Sequence, residues 1–300
     1  MNAKMSAIMG RSYDGCMEAL GAIRDEQRDV VVLEVGNTGD EERRGSNAIK
    51  TGQSAQNTVL FASGLALAGK RVFITAPYSP LFVAQAYEQI RASVAIPNLK
   101  VVILSAHDSA VLDREGATRQ MWEDLALMRA MPNMTVLAPS DRNSAFCLAM
   151  TLARHNGPAY MRLCRADSPD IYDNRGDEFC AGGARLLTEG DGVTIVACGV
   201  MVNEALRASR VLTQQGISAE VIDCYSIKPF PIQTLIASVR RTGCCVVAEK
   251  HTGIAGLFGA VTECLGRNYT VPVRSVSIDD DFGQSGSPEE LQEYYGLTHR

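Results

Sequence analysis

The sequence lacks several features that would place the protein in a familiar class. It contains no run of about 18 apolar residues, the minimum for a membrane-spanning helix, and its first thirty residues mix charged and apolar side chains, unlike a secretion signal. It has no dense cluster of Lys and Arg, and its formal net charge is −5. We therefore expect neither a membrane nor a nucleic acid as a partner.

The nine cysteines are scattered and include no C-x-x-C pair. This distribution favours buried, reduced thiols over a disulfide framework and predicts a cytoplasmic protein. No two histidines have zinc-ligand spacing, so no metal site is predicted in this chain. The G-N-T-G segment, Gly36–Gly39, matches neither the dinucleotide fingerprint nor a P-loop, which argues against nicotinamide and ATP binding.

What the sequence does contain is an alternation of two patterns. Short apolar, β-branched runs are typical of strands buried on both faces, and apolar residues spaced every three or four positions are typical of helices. The predicted strands are Val30–Val35, Val72–Ala76, Val101–Ser105, Thr135–Ala138, Thr194–Ala197, Ala219–Asp223, Cys244–Glu249 and Val273–Ser277, and another strand ends at Y-M-R-L-C-R. The predicted helices are Gln56–Ala68, Phe82–Val94, Ser144–Arg154, Asn203–Gln215 and Leu257–Leu265.

This alternation predicts an α/β protein with two parallel or mostly parallel open sheets and helices on both faces of each. A length of 300 residues fits two domains. The polar, turn-rich segment Arg165–Gly183 has no periodicity and is the expected linker. We place the boundary near Gly182, which divides the chain into domains 1–180 and 181–300.

Ligands of open parallel sheets lie outside the carboxyl ends of the strands. Four segments of the first domain follow predicted strands in this way: Gly36–Asp40, Pro77–Phe82, Ala106–Thr118 and Arg162–Arg165. The functional site is therefore expected in the first domain.

Three side chains in these segments are candidates for binding or chemistry. His107 suits acid–base or phosphate-binding roles, although a capping or core histidine is an equal alternative. Arg162 and Arg165 can each hold a phosphate or carboxylate, and Arg162 fits a structural ion pair better because it lies within the apolar strand. Cys164 is more typical of a buried spacer than of a nucleophile.

Several motifs, in a fixed order over about Val30–Thr298, resemble the transketolase family. In the first domain they are G-Q-S-A-Q-N (Gly52–Asn57), A-S-G-L-A-L-A-G (Ala62–Gly69), A-Y-E-Q-I-R (Ala86–Arg91), H-D-S-A-V-L-D-R-E-G-A-T-R-Q (His107–Gln120), E-D-L-A-L-M-R-A-M-P-N-M-T-V (Glu123–Val136) and G-P-A-Y-M-R (Gly157–Arg162). In the second domain they are I-K-P (Ile227–Pro229), A-E-K-H (Ala248–His251) and F-G-Q-S-G-S (Phe282–Ser287).

The resemblance implies a thiamine diphosphate pyrimidine-binding domain followed by a transketolase C-terminal domain. The family's diphosphate-binding domain, with its Mg²⁺ and a G-D-G motif followed by metal ligands, is not found in this chain. The resemblance therefore implies the C-terminal subunit of a split transketolase, which shares the cofactor with an N-terminal partner that holds Mg²⁺. Two of each chain, a homodimer of heterodimers, would form the expected heterotetramer.

The resemblance also assigns site residues. It implies cofactor contacts at Gly36, Asn37, Ala55, Tyr78, Leu81 and Phe82, substrate contacts at His107 and Arg165, and catalytic roles at His107, Arg119 and Glu115. Four of these positions depart from the family pattern. Ala55 replaces the glutamate that activates the aminopyrimidine, Gly36 and Glu115 each replace an aspartate, and Arg119 replaces a histidine.

These departures leave three hypotheses open. The chain belongs to an enzyme that transfers a two-carbon ketol or related unit, or it is a degenerate subunit with a structural or regulatory role, or it resembles the β chain of 2-oxoacid dehydrogenases. Arg119 favours altered chemistry over decay, because a permanent cation adds a contact for an anion such as a carboxylate, a sulfonate or phosphopantetheine.

Overall fold

The computed structural model describes residues 9–36, 48–76, 81–107, 116–173, 175–176 and 178–300, and for His107 it describes the backbone alone. Fourteen strands lie in these ranges. They are β1 (Met9–Gly10), β2 (Val30–Glu34), β3 (Ile49–Lys50), β4 (Arg71–Ala76), β5 (Val101–His107), β6 (Thr135–Leu137), β7 (Ala159–Cys164), β8 (Ser168–Pro169), β9 (Arg185–Thr188), β10 (Val193–Ala197), β11 (Ala219–Asp223), β12 (Ser226–Lys228), β13 (Cys245–Thr252) and β14 (Val273–Ile278).

The strands form two main sheets, each covered by helices. The first sheet has the order β12-β6-β7-β5-β4-β2-β3 and the second β14-β13-β10-β11-β9. Pairing is parallel throughout except for β12 on β6 and β9 on β11. The predicted fold class, with two mostly parallel open sheets, is confirmed. A small third sheet pairs β1 with β8.

Every predicted strand is present, and most are runs whose side chains are buried from both sides. The exception is β14, at the edge of the second sheet, where Ile278 alone is buried. In β4, for example, all six residues are buried. The short strands β1, β3, β8, β9 and β12 were not predicted. They contain two to four residues each, too few for a pattern of apolar residues to be visible.

Four of the five predicted helices are present as single helices, whereas Ser12–Glu26, 15 residues long, and Ile232–Thr242 were not predicted. The described helices are Ser12–Glu26, Ala55–Leu67, Leu81–Gln85, Tyr87–Gln89, a π helix at Ile90–Ala95, Asp124–Ala130, Arg142–Leu152, Met201–Gln214, Ile232–Thr242, Leu257–Asn268 and Pro288–Tyr294. The single helix predicted for Phe82–Val94 is interrupted at Ala86, whose φ of −114° and ψ of 17° lie outside the helical region. Among the helices of the described ranges, none has both the length and the hydropathy needed to cross a membrane.

The predicted linker is packed against the first domain and does not form a loose connection. Asp141, which caps the helix Arg142–Leu152, accepts hydrogen bonds from the backbone N–H groups of Ile171 (2.8 Å) and Tyr172 (2.9 Å). The rings of Tyr172 and Phe179 are buried and meet edge to face, with centroids 5.0 Å apart. The domain boundary near Gly182 stays a prediction.

The two halves of the chain share hydrogen bonds on either side of this segment. β12, which follows β11 of the second sheet, pairs with β6 of the first. The carbonyl oxygen of Trp122 accepts a hydrogen bond from the N–H of Thr252 at 2.9 Å. Arg162 donates from Nη1 to the carbonyl of Lys250 at 2.9 Å. The strand β13 of the second sheet therefore lies directly against the first domain.

Candidate functional site

The strands that precede the predicted candidate segments end at one edge of the first sheet. The parallel neighbours β2, β4, β5 and β7 all end there, at Glu34, Ala76, His107 and Cys164. His107 lies opposite Cys164 in the register, so its backbone is a direct neighbour of the residue that precedes Arg165. Carboxyl ends of parallel strands are where ligands of such sheets bind.

Gly36 and Ala55 are brought together by the loop between β3 and the helix Ala55–Leu67. The N–H of Gly36 donates to the carbonyl of Gly52 at 2.7 Å, and Thr51 donates from its own N–H to Glu34 at 2.9 Å. Gly36 has a φ of +91°, a conformation that an aspartate adopts only with strain. The backbone therefore accounts for glycine where the family pattern has aspartate.

Ala55 begins its helix without a carboxylate nearby in the sequence. The first turn reads Ala-Gln-Asn, and within the described residues the side chain of Ser54 makes no capping hydrogen bond. The N-terminus of a helix favours a negative charge. The position that would hold the activating glutamate thus offers a favourable place for a carboxylate, and the sequence supplies a methyl group.

The predicted cofactor contacts in the helix Leu81–Gln85 form an apolar wall beside Ala55. Phe82 and Ala55 are buried in one hydrophobic cluster, and Leu81 is half-buried against it. Gln56 ties the two helices together by donating from Nε2 to the carbonyl of Gln85 at 3.2 Å. These side chains fit the packing of an aromatic pyrimidine ring, and they do not offer it a charged partner.

Three predicted site residues, Asn37, Tyr78 and Glu115, lie outside the described residues. For His107 the structure gives the register position alone. Their roles stay predictions.

The two arginines of β7 and its end have different surroundings. Arg162 is an ion-pair partner of Asp124, with Nε 3.3 Å from Oδ2, and this carboxylate also accepts a hydrogen bond from Tyr160. Burial and the Asp124 charge raise the pKa of Tyr160 well above its usual range. Arg165 is half-buried, and its guanidinium carbon lies 4.9 Å from the centroid of the Tyr13 ring. The structural ion pair expected for Arg162 is therefore present, which leaves Arg165 as the anion candidate.

Arg119 lies on an exposed turn that the second domain braces. The N–H groups of Arg119 and Gln120 both donate to the carbonyl of Gly116, at 3.0 and 3.2 Å. Gln120 in turn donates from Nε2 to the carbonyl of Gln284 at 2.9 Å. A β-carbon on Gly283 would lie 1.6 Å from Gln120 Oε1, so the Gln120 side chain in this conformation packs directly on Gly283 and would have to move to admit a larger residue. The F-G-Q-S-G-S motif thus supports the turn that presents Arg119.

His251 and Glu249, from the A-E-K-H motif, are structural groups at the junction of the two sheets. Glu249 accepts hydrogen bonds from the N–H groups of Leu257 and Phe258, both at 2.7 Å, and burial raises its pKa to about 7. His251 lies 2.7 Å from the carbonyl of Thr252 through Nδ1, and its Nε2 accepts from the N–H of Ala126 at 3.3 Å. Both contacts together require a neutral imidazole with the proton on Nδ1.

The described residues contain no group of three or more His, Cys, Asp or Glu side chains arranged to hold a metal ion. The triplet Gly190–Gly192 reads G-D-G, but it is the turn before β10, at the amino end of that strand. A β-carbon on Gly190 would lie 2.5 Å from the backbone of Ala219, so packing accounts for that glycine.

The sequence analysis missed one side chain at this edge. Tyr13 reaches the end of β7 from a distant part of the chain, 152 positions from Arg165 in its contact. It is part of no local pattern, so no signal in the sequence could have identified it. The hydrogen bond from Gln120 to the carbonyl of Gln284 was also not predicted, although Gln284 lies in the F-G-Q-S-G-S motif.

Two family models match almost the whole chain. The model of the transketolase pyrimidine binding domain matches residues 14–170, and that of the transketolase C-terminal domain matches residues 182–300.

Relatives from other organisms match most of the chain. A putative transketolase C-terminal section from Methanocaldococcus jannaschii is 35% identical over 98% of this chain and 94% of its own length. A 6-deoxy-6-sulfo-D-fructose transketolase subunit from Clostridium sp. is 39% identical over 84% of this chain and 77% of its own. An apulose-4-phosphate transketolase subunit from Phocaeicola vulgatus is 34% identical over 83% of this chain and 79% of its own.

A solved structure described as an inactive β4 tetramer of a split gene transketolase superimposes with a TM-score of 0.88. It is 34% identical to this chain and is matched over 97% of this chain and 95% of its own. The chain therefore belongs to the transketolase family and carries its pyrimidine-binding and C-terminal domains.

Proposed function

We propose that the chain is the C-terminal subunit of a thiamine diphosphate-dependent enzyme that transfers a two-carbon ketol or related unit, and that it acts only with an N-terminal subunit. The observation that carries this proposal is the helix Ala55–Leu67, which begins at the site and exposes large apolar side chains from Leu60 onward.

The exposed apolar side chains lie on one side of the helix. Leu60, Phe61 and Leu67 are exposed, the last by 72%, and Gly64 lies between them with no described atom within 4 Å of where its β-carbon would be. The exposed Ile96 lies after the neighbouring π helix. Contiguous apolar patches on a folded protein mark sites of association. A partner seated here would also close the site at Ala55.

The relatives support a shared cofactor. Proteins described as a C-terminal section or as a subunit of a transketolase match this chain over most of its length. A pyrimidine-binding domain implies thiamine diphosphate, which supplies the nucleophilic carbon for two-carbon transfer when it is bound. In our proposal the partner holds its diphosphate and Mg²⁺, Ala55 and Phe82 pack on its pyrimidine ring, and two of each chain assemble.

We infer that the substrate is a sugar with an anionic end. Two relatives bear the names of a sulfonated and a phosphorylated sugar substrate. In this chain Arg165 follows the end of β7 and Arg119 lies on the turn after Gly116, and a guanidinium binds a tetrahedral oxyanion through two parallel N–H donors. Arg165 and His107 would bind the substrate, and Arg119 would add a contact that the family histidine does not supply.

A second candidate is a non-catalytic subunit that stabilises or regulates the assembly. It is favoured by Ala55, since the site lacks the group that activates the aminopyrimidine. The 2-oxoacid dehydrogenase alternative receives no support from the relatives described above, which bear transketolase names.

Calorimetric titration of thiamine diphosphate and Mg²⁺ into the chain alone, and into its mixture with an N-terminal transketolase subunit, tests the proposal. We expect saturable binding in the mixture only, followed by turnover of a ketose bearing a terminal anion. Assembly without cofactor uptake would establish the non-catalytic alternative. Cofactor binding by the chain alone would contradict a shared site.

Two matched variants test the surface. Phe61 and Ile217 are exposed to a similar extent, 41% and 40%, and Ile217 lies in the second domain. Phe61→Ser should weaken co-elution with the partner, and Ile217→Ser should leave it unchanged. Equal effects of both would show that the helix Ala55–Leu67 is not the contact.

A further inference from the structure

The short N-terminal segment Met9–Tyr13 is attached to the end of β7, where Arg165 begins the following loop. Ser12 Oγ accepts a hydrogen bond from the N–H of Cys164 at 2.7 Å and lies 3.3 Å from the carbonyl oxygen of the same residue. Arg11 pairs with Asp167, with Nε 3.0 Å from Oδ1. The strands β1 and β8 continue the attachment through antiparallel pairing. Contacts on both sides of Arg165 thus fix its loop to this segment.

Tyr13 is the member of the segment that reaches Arg165 itself. Its ring is buried, with 5% exposure, and the guanidinium carbon of Arg165 lies 4.9 Å from its centroid. A guanidinium at this distance from an aromatic ring is held by cation–π attraction. Arginine also stacks flat on aromatic faces, which leaves its N–H donors in the plane for a second partner.

The platform under Arg165 is rigid. Tyr13 lies in the first turn of the helix Ser12–Glu26, and this helix crosses the start of the helix Arg142–Leu152 at very short range. A β-carbon on Gly15 would lie 2.0 Å from the carbonyl oxygen of Arg142, so only glycine permits the approach. Backbones packed this closely leave Tyr13 little freedom to move.

The function of Tyr13 follows from what it touches, and Arg165 is the anion candidate of the site.

We propose that Tyr13 is a positioning residue that holds the Arg165 guanidinium for a two-oxygen contact with the terminal phosphate or sulfonate of the substrate. The inference rests on the proposed function for the identity of the substrate. The contact itself belongs to this chain and can be tested without the partner or the cofactor.

The direct test is to titrate inorganic phosphate, and separately sulfate, into the full chain. Binding is monitored through the NMR signal of the Arg165 Nε–H group. The signal is identified by its loss in Arg165→Lys. We expect Tyr13→Phe to bind both anions like the wild type, and Tyr13→Leu to bind them about two- to five-fold more weakly, the size of an exposed cation–π contact.

Tyr13→Leu removes a buried ring, so a control separates positioning from stability. Arg175 is stacked over Phe146 in the same way, 4.2 Å from its ring centroid, away from the end of β7. Phe146→Leu should leave anion binding unchanged. If Tyr13→Leu does not fold, Tyr13→Met replaces it in the comparison, because the unbranched methionine side chain adapts better to an irregular space. Equal anion affinity of wild type and the folded variant, or no response of the Arg165 signal to either anion, would overturn the proposal.

In the assembled enzyme the same variants give a second readout. Tyr13→Leu should raise KM for a substrate with a terminal anion about two- to five-fold at unchanged kcat. KM for the substrate without that anion should not change. A change in KM for both substrates would also overturn the proposal. Absence of all turnover would count against the proposed function, and the anion titration would still decide the role of Tyr13.

Discussion

Replacing Ala55 with glutamate restores the carboxylate that the family pattern has at this position. In the assembled enzyme we expect Ala55→Glu to accelerate exchange of the thiazolium C2 proton of thiamine diphosphate. The side chain would leave the first residue of the helix Ala55–Leu67, next to the apolar wall of Leu81 and Phe82. A carboxylate there would meet the aminopyrimidine ring that this wall fits.

The size of the effect follows from the setting of Ala55. A positioned acid–base group contributes about 10²- to 10⁴-fold. The helix N-terminus favours the charged form by about 0.3–1 kcal/mol. Ala55 is buried, with 5% exposure, and burial raises the pKa of a carboxyl group placed there. The acceleration should therefore increase as the pH rises from 6 toward 8.

Ala55→Gln is the matched control. Glutamine has the same size and burying its polar end costs a similar amount, about 1–3 kcal/mol, but it does not ionise. Both variants should lower the stability of the free chain alike, as measured by urea denaturation. Exchange of the C2 proton is measured by quenching in acid after mixing with D₂O, followed by proton NMR.

One result would refute the reasoning. If the wild type, Ala55→Glu and Ala55→Gln all exchange the proton no faster than free thiamine diphosphate, the position does not contact the pyrimidine. If the wild type exchanges as fast as Ala55→Glu and both are faster than free thiamine diphosphate, another group performs the activation, and the non-catalytic alternative is excluded as well.

Three further predictions concern buried groups and close contacts. Burial raises the pKa of Asp223 from an ordinary 3.8 to about 7. The free energy of unfolding should therefore fall as the pH rises from 3.8 to about 7, by about 1.4 kcal/mol for each unit of pKa difference. Asp223→Asn should remove this loss, as measured by urea denaturation at pH 5 and pH 8. An unchanged pH dependence would contradict it. Arg162→Met should lower the stability of the fold by about 3–5 kcal/mol, because it leaves the buried carboxylate of Asp124 without its ion-pair partner. Arg165→Met should lower it by less than about 1 kcal/mol. Equal losses of stability in thermal unfolding would contradict this difference. Gly283→Ala should destabilise by about 0.5–1.5 kcal/mol, the size of one hydrogen bond, because the new methyl group displaces the Gln120 side chain from the carbonyl of Gln284. Gly266→Ala, in an open helix position, should stabilise by about 0.5–1 kcal/mol. A neutral Gly283→Ala in the same denaturation assay would show that Gln120 keeps its hydrogen bond after moving.

The buried strands were predictable because burial on both faces leaves a run of apolar residues in the sequence. Two helices that were not predicted carry local signals at their ends. Ile232–Thr242 follows Pro231 and ends at Gly243, which has a φ of +71°, a typical helix end. Pro288–Tyr294 starts with a capping box in which Ser287 and Glu290 bond each other's backbone. Both signals are local and could be read without the structure.

The candidate site was predictable in part. The edge of the sheet follows from strand order, which places Gly36, His107 and Arg165 near one another. The stacking of Tyr13 on Arg165 and the hydrogen bond from Gln120 to Gln284 arise from tertiary packing. Residues that meet only through packing leave no periodic pattern, so sequence reasoning could not find them.

The strand β12 has a consequence for how this protein can be divided. Its residues follow the second sheet in the chain, yet they complete the first sheet by pairing with β6. A fragment cut at the predicted boundary would leave β6 as an open edge, and unprotected edges recruit strands from other molecules. The pyrimidine-binding half, expressed by itself, should therefore aggregate or exchange strands. A gene fusion or truncation that aims to isolate this half needs to carry Ser226–Lys228 with it.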